Sequence, residues 1–137
     1  MAEKRKILAI DDAPMVLRAL NEILKGDYDM LIAKNGEAGI ESAKKNKPDL
    51  ILLDLVMPGM SGFETLAFLK ADPDTGDIPV VLITGSEMAV DEEKGYAQGA
   101  VDFIKKPFVG VIVKRRVSFV MEYIEMQREL KQLKEGQ

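Results

Sequence analysis

The sequence predicts an α/β fold with one doubly wound, five-stranded parallel sheet, helices on both faces and an extended helix at the carboxyl end. Short apolar runs alternate with segments whose apolar residues recur at helical spacing. Such runs are typical of parallel strands, because both faces of a parallel sheet are covered. Strands that alternate with helices indicate right-handed βαβ crossovers, so the strands are expected to share one sheet.

The elements are predicted in strict alternation. Strands are expected at 6–10, 28–33, 50–54, 80–84 and 101–105, and helices at 14–25, 35–45, 62–71, 90–98 and 109–133. Pro14 is tolerated in a first helical turn, and Gly26 is expected to end that helix. Asn35 is a candidate cap for the second helix. Glycines weaken the fourth helix, so a mobile segment between Gly85 and Gly99 is expected to carry the readout surface.

Composition excludes several classes of protein. The 137 residues suit one domain, and the net charge of −4 gives no basic surface for nucleic acid or an anionic membrane. Cysteine and histidine are absent, which excludes disulfides, thiolate metal sites and histidine-based hydrolases. No apolar run approaches the ~20 residues of a membrane span, and no signal-peptide pattern follows the first charges. We expect a cytoplasmic protein.

Chemically active side chains follow four of the strands. Asp11 and Asp12 come after the first strand, Asp54 ends the third, Thr84 ends the fourth, and Lys106 follows the fifth. The carboxyl ends of parallel strands border the crevice where ligands bind. A carboxylate that ends a buried strand costs stability unless it has a function. Carboxylates, one hydroxyl and one ammonium together indicate a magnesium-dependent phosphorylation site.

These motifs resemble the receiver domain of two-component response regulators, over residues from about 4 to 119. The resemblance rests on four separated motifs in the family's order: Asp11-Asp12, Asp54 with Met57-Pro58-Gly59-Met60-Ser61-Gly62, Thr84-Gly85 and Lys106-Pro107-Phe108. It implies a flavodoxin-like sheet with strand order 2-1-3-4-5. It also implies phosphorelay signalling, with a sensor histidine kinase or a phosphotransfer protein as the partner that carries the phosphohistidine.

The resemblance implies a Mg²⁺ site among the acids. Asp12 and Asp54 would bind the ion directly, together with the backbone carbonyl of Val56, and Asp11 would act through water. The residue types agree, because neighbouring carboxylates repel one another and a hard divalent cation relieves that repulsion.

The resemblance also makes Asp54 the phosphoacceptor. Lys106 and the Thr84 hydroxyl would bind the phosphoryl oxygens, and Gly85 would leave room beside them. Val56 and Ser86, two residues beyond Asp54 and Thr84, are expected to flank the path of the water that hydrolyses the acyl phosphate.

A conformational switch is implied by the same family. Thr84 would move toward the phosphoryl group, and Phe103 on the fifth strand would follow into the vacated space. Phe103 as an ordinary core residue is an equally good interpretation.

Single residues also allow simpler interpretations. Asp12 alone could be a helix N-cap, whereas Asp11 beside it has no capping task. Lys106 could be a solvated surface lysine like Lys105, although adjacent strand residues point to opposite faces.

Two other functional classes are weighed against this hypothesis. Phosphatases with an aspartyl nucleophile commonly have a second acid two residues later, and here that residue is Val56. A receiver-like interaction module regulated without phosphate would be signalled by the loss of Asp54, Asp12 or Lys106, and all three are present. We expect no turnover of an external substrate, only catalysis of the chain's own phosphorylation and dephosphorylation.

The carboxyl end is predicted to extend beyond the receiver. Residues 1–119 would form the phosphoacceptor domain, and 120–137 would continue the last helix toward a possible output domain. A 4-3-4-3 spacing defines what we call the tail seam: Phe119, Tyr123, Met126, Leu130 and Leu133. This is heptad spacing, which indicates a homodimeric coiled coil. A solvated helix with scattered apolar residues is the alternative.

Overall fold

The computed structural model describes residues 4–85 and 89–136, with five strands and five helices in alternation. The strands are β1 Lys6–Ile10, β2 Asp29–Ala33, β3 Leu50–Asp54, β4 Val80–Thr84 and β5 Asp102–Lys105. The helices are α1 Pro14–Leu24, α2 Gly36–Asn46, α3 Gly62–Ala71, α4 Ala89–Ala97 and α5 Gly110–Glu135. All strand pairs are parallel, and the order is β2-β1-β3-β4-β5. The predicted fold class and the implied strand order are confirmed.

The sheet is buried on both faces and is therefore rigid. Because its strands are parallel, their carboxyl ends lie along one edge. Alternate residues of β3 belong to two separate apolar cores: Leu50 and Leu52 lie with α1 and α5, whereas Ile51 and Leu53 lie with α2 and α3. All five residues of β3 are buried. Its terminal Asp54 therefore has little freedom to move relative to its neighbours.

Helix α1 begins at Pro14, as predicted, and ends one residue before the predicted limit. Ala13 is the N-cap residue and makes no side-chain capping bond, so Asp12 is not a helix cap. At the other end Lys25 remains in right-handed backbone, and Gly26 lacks the positive φ that a glycine stop would use. The helix therefore ends just before Gly26, as predicted, but not through a glycine in the left-handed conformation. The chain instead turns where the N–H of Tyr28 donates to the Leu24 carbonyl at 3.0 Å.

Helix α2 begins as predicted and packs closely against β1. The Asn35 side chain accepts a hydrogen bond from the Ala38 N–H at 2.8 Å, which confirms the cap. Gly39 and Ala43 are buried on the inner face of this helix. A Cβ on Gly39 would overlap the Ile10 side chain, with Ile10 Cγ1 at 2.8 Å. A glycine therefore allows α2 to approach β1 closely.

The amino-terminal half of helix α5 packs along the sheet. Val113, Val117, Val120 and Ile124 are buried against the core, as their 4-3-4 spacing predicts. Further along, Arg128 forms an ion pair with Asp49 at 3.1 Å. Within the described part of the chain, no helix is long and apolar enough to cross a membrane.

Candidate functional site

Three carboxylates meet at the carboxyl edge of the sheet. Oxygen atoms of Asp11, Asp12 and Asp54 all lie within 4.8 Å of one another. Asp11 and Asp54 are 1% and 3% exposed, whereas Asp12 is open to solvent. Because β1 and β3 are adjacent and parallel, their ends bring these residues together. Two desolvated acids beside an accessible one make a set of oxygens that an ion can reach from one side.

Lys106 supplies the cation of the cluster. Its Nζ lies 3.2 Å from Asp11 Oδ2 and 3.2 Å from Asp54 Oδ1, so one ammonium bridges the two buried acids. Its backbone N–H donates to the Thr84 carbonyl at 2.8 Å, which anchors it at the end of β4. The neighbouring Lys105 lies 3.9 Å from Glu92 instead. Lys106 is thus no ordinary surface lysine.

The charges of the cluster do not balance. Burial raises the pKa of Asp54 above its usual value, and the negative charge of Asp11 raises it further. Lys106 and the backbone of Val56 act in the opposite direction but do not cancel this. Burial alone would lower the pKa of Lys106, but Asp54 and Asp11 raise it above the usual lysine value. Three acids against one ammonium form a donor set that suits a hard divalent cation.

Asp11 has a local structural role that the sequence did not suggest. Its Oδ1 accepts a hydrogen bond from the Ala13 N–H at 2.9 Å, which closes the turn before α1. This bond does not cap α1, so the expectation that Asp11 has no capping task holds. Aspartate side chains commonly bond to the backbone two residues later, so the signal was available. Asp11 therefore shapes the loop that presents Asp12.

Gly62 lets the first turn of α3 lie against the end of β3. Its N–H donates to the Leu55 carbonyl at 2.9 Å. A Cβ on Gly62 would overlap the Asp54 carbonyl oxygen and lie 2.5 Å from the Leu55 Cα. Ser61 caps the helix, and Glu64 completes a capping box with it. The Ser-x-x-Glu spacing is a readable signature that the sequence interpretation missed.

The mouth of the site opens between the β3–α3 loop and α4. Thr84 is 1% exposed at the end of β4 and lies on the wall of an open groove of about 280 Å³, together with Val56 and Asp91. Val56 is 74% exposed. A Cβ on Gly85 would meet no atom within 4 Å, as its predicted spacing role requires. Ser86, the other residue predicted beside the water path, lies outside the described residues.

Phe103 lies inside the domain beneath α4. It is 5% exposed and meets the Tyr96 ring edge-on, with 5.1 Å between centroids. A Cβ on Gly95 would lie 2.5 Å from Phe103 Cζ and 2.7 Å from Leu82 Cδ1. The absence of a side chain at Gly95 therefore lets α4 pack closely on Phe103 and Leu82, in addition to weakening the helix. The switching role of Thr84 and Phe103 stays a prediction.

The comparisons with known proteins identify the class. The sequence model of the response regulator receiver domain matches residues 7–117. This chain belongs to that family, and its function lies in two-component signalling.

Relatives differ in how much of their own length this chain covers. Protein PilH of Pseudomonas aeruginosa is 39% identical over 103 residues, which cover 74% of this chain and 85% of that protein. Response regulator PleD of Caulobacter vibrioides is 38% identical over 128 residues, 93% of this chain but 28% of PleD. The crystallised chemotaxis protein CheY4 of Vibrio cholerae superposes with a TM-score of 0.82 at 25% identity, over 86% of this chain and 99% of that one.

The raised pKa of Asp54 predicts a pH-dependent gain from Asp54→Asn. Because the folded state binds this proton more tightly than the unfolded chain, the wild type loses stability as pH rises from the usual aspartate pKa through the raised one. Asparagine cannot ionise and avoids that loss. In chelator, we expect thermal unfolding from pH 3.5 to 8 to show that the stability of the variant increases relative to that of the wild type over this pH range. A difference that is constant with pH would contradict the prediction.

Proposed function

We propose that this receiver accepts a phosphoryl group on Asp54 in a Mg²⁺-dependent reaction and passes on a change in conformation. One observation carries the proposal: a single ammonium, that of Lys106, lies 3.2 Å from both buried acids of a three-carboxylate cluster. An unbalanced acidic cluster with one fixed cation is poorly suited to stability, but it suits the transfer of an anionic group.

The transfer follows from the positions of the side chains. An Asp54 carboxylate oxygen attacks phosphorus, and the bond between phosphorus and the donor's leaving atom breaks in line. Lys106 is held beside Asp54, so its charge offsets the negative charge of the incoming phosphoryl oxygens. The Thr84 hydroxyl donates to another phosphoryl oxygen. Gly85 leaves space for the group.

Asp12, Asp54 and the backbone carbonyl of Val56 would hold Mg²⁺, with Asp11 acting through water. The donor set fits, since magnesium prefers a few carboxylates with water and phosphate oxygens. When bound, the ion supplies charge neutralisation at the phosphoryl oxygens. The backbone of Val56 lowers the pKa of the Asp54 carboxyl, and its proximity supports a ligand from this segment.

The donor is proposed to be a histidine kinase or a phosphotransfer protein. The chain has no histidine of its own, so a phosphohistidine would belong to the partner. Signalling of this kind places the protein in the cytoplasm, with neither nucleic acid nor membrane as a direct partner. The exposed Val56 offers no acid for an aspartyl phosphatase, so we propose no turnover of an external substrate.

Magnesium-dependent labelling tests the proposal. With acetyl phosphate and Mg²⁺, intact mass is expected to show one added phosphoryl group, and excess chelator should abolish it. Asp12→Ala should remove most metal binding and labelling. Asp29→Ala is the control, because it removes an exposed acid from the opposite end of the sheet. Full labelling in chelator would overturn the metal requirement, and no labelling under either condition would favour a phosphate-independent interaction module.

Phosphoryl lifetime is predicted to depend on Val56. It lies two residues beyond Asp54, and its exposed apolar side chain cannot orient an attacking water. Val56→Asn introduces a polar group there, so we expect faster loss of the phosphoryl group than from the wild type. Decay of labelled protein, followed by intact mass after the donor is removed, measures this. Equal decay rates would mean that Val56 has no influence on hydrolysis.

A further inference from the structure

The tail seam is exposed along the whole carboxyl half of α5. Phe119 and Tyr123 are 56% and 54% exposed, and Met126, Leu130 and Leu133 are 67%, 50% and 67% exposed. At about 100° per residue, the seam lies about 140° around the helix from the residues that pack on the sheet. One stripe of α5 therefore faces the domain, and a second apolar stripe faces away from it.

Ion pairs fix the direction in which the seam points. Arg5 binds Glu125, and Arg128 binds Asp49 at 3.1 Å, so α5 remains tied to the domain for a turn beyond Ile124. The helix then extends roughly 10 Å further to Glu135. The tail seam therefore leaves the domain at a set angle rather than on a free linker.

The charges beside the seam favour a parallel pair. When Tyr123 and Leu130 occupy heptad position a, Glu129 occupies position g and Lys134 occupies the following position e. In a parallel coiled coil a g residue of one helix faces the next e residue of its partner, so Glu129 would meet Lys134 twice by symmetry. The preceding g–e pair joins Glu122 to Gln127, which adds no repulsion. In an antiparallel pair, g residues face g residues, and Glu122 and Glu129 would oppose each other.

At the amino-terminal end of the tail seam, the domain itself adds exposed apolar surface. Phe119 and Tyr123 line a groove with Val101, which precedes β5 and is 38% exposed. The guanidinium of Arg115 lies 5.1 Å from the Phe119 ring centroid. Such a contact covers part of the ring, yet more than half of Phe119 stays open. A partner on the tail seam would therefore meet apolar surface on the domain as well.

We propose that the tail seam binds the tail seam of a second copy of this chain in parallel, with Glu129 of each copy paired to Lys134 of the other. The seam is little more than two heptads long, so association of the chain is weak and depends on concentration. Parallel pairing places both Leu133 side chains together and both receiver domains at the same end of the coil. This inference does not depend on phosphorylation of Asp54.

Sedimentation of the full chain from ~10 µM to ~1 mM tests association. We expect a monomer–dimer equilibrium that Leu130→Glu abolishes. Glu129→Lys and Lys134→Glu should each raise the dissociation constant by about tenfold, and the double swap should restore it. Lys131→Glu is the matched control, because it makes the same charge change away from the seam and should leave the constant nearly unchanged. Circular dichroism verifies that each variant remains folded.

Orientation is tested by cross-linking. The chain contains no cysteine, so Leu133→Cys introduces a single thiol. In a parallel dimer the two thiols are adjacent and should form an intermolecular disulfide under mild oxidation, whereas Lys131→Cys should form far less. A monomer at every concentration would overturn the proposal. A dimer that is insensitive to Leu130→Glu, or one that fails to cross-link at residue 133, would also overturn it.

Discussion

Lys106→Met is expected to lower the free energy of unfolding by about 2–3 kcal/mol in metal-free buffer near neutral pH. Removing one partner of a buried ion pair commonly costs ~3–5 kcal/mol, because the remaining charge is left uncompensated. The Lys106 side chain is 27% exposed, so solvent reduces that figure here. Asp11 and Asp54 would both lose their shared cation. Chemical denaturation of wild type and variant measures the difference.

Lys105→Met is the matched control for this prediction. Lys105 is the adjacent lysine, and it faces Glu92 at 3.9 Å across exposed surface, a pair of the kind worth ~0–1 kcal/mol. Without Lys106, the pKa of Asp54 should rise further, so the deficit of the Lys106 variant should shrink in acid as the carboxylates become protonated. Saturating Mg²⁺ should also reduce the stability deficit of the Lys106 variant. Equal losses from the two variants would contradict the account of Lys106 as the counter-charge.

Gly62→Ala is expected to destabilise the fold by about 3 kcal/mol or more, at or above the upper end of the usual cost of overpacking. The added methyl group would overlap the backbone of Asp54 and Leu55 rather than the end of a flexible side chain. Neither backbone segment can shift without moving β3 or α3. Thermal unfolding measures the loss, and labelling of the folded fraction shows whether Asp54 is displaced.

Gly26→Ala is the control for that substitution. A Cβ on Gly26 would meet no atom within 4 Å, and its backbone has no positive φ. Its effect should be close to zero or slightly stabilising, since alanine restricts the unfolded chain more than glycine does. If both glycine variants lose the same stability, the close approach of α3 to β3 does not explain the need for Gly62.

Strand assignments and the candidate site could be predicted because their signals are local in the sequence. Buried parallel strands are short apolar runs, and β3 and β4 begin and end at the predicted residues. Strand ends of one parallel sheet converge, so Asp11, Asp54 and Lys106 meet although up to 95 residues separate them. The roles of these residues were inferred from the family resemblance.

Contacts between elements could not be predicted in the same way. Gly62 and Gly95 resembled loop or helix-breaking residues, yet both lie where another element approaches within the space of one methyl group. A sequence pattern shows which residues are small, but not which neighbour makes smallness necessary. Burial of Phe103 was one of its two predicted interpretations, but its contacts with Gly95 and Tyr96 depend on where α4 lies.

Intact mass spectrometry of the wild type and Asp54→Asn after incubation with acetyl phosphate and Mg²⁺ tests the central claim most directly. Asp54 is the buried acid at the end of β3 that Lys106 contacts, and asparagine keeps its shape without a nucleophilic carboxylate. The account predicts one added phosphoryl group on the wild type and none on the variant. Equal labelling of Asp54→Asn would show that the phosphoryl group goes elsewhere and would contradict the assignment of this site.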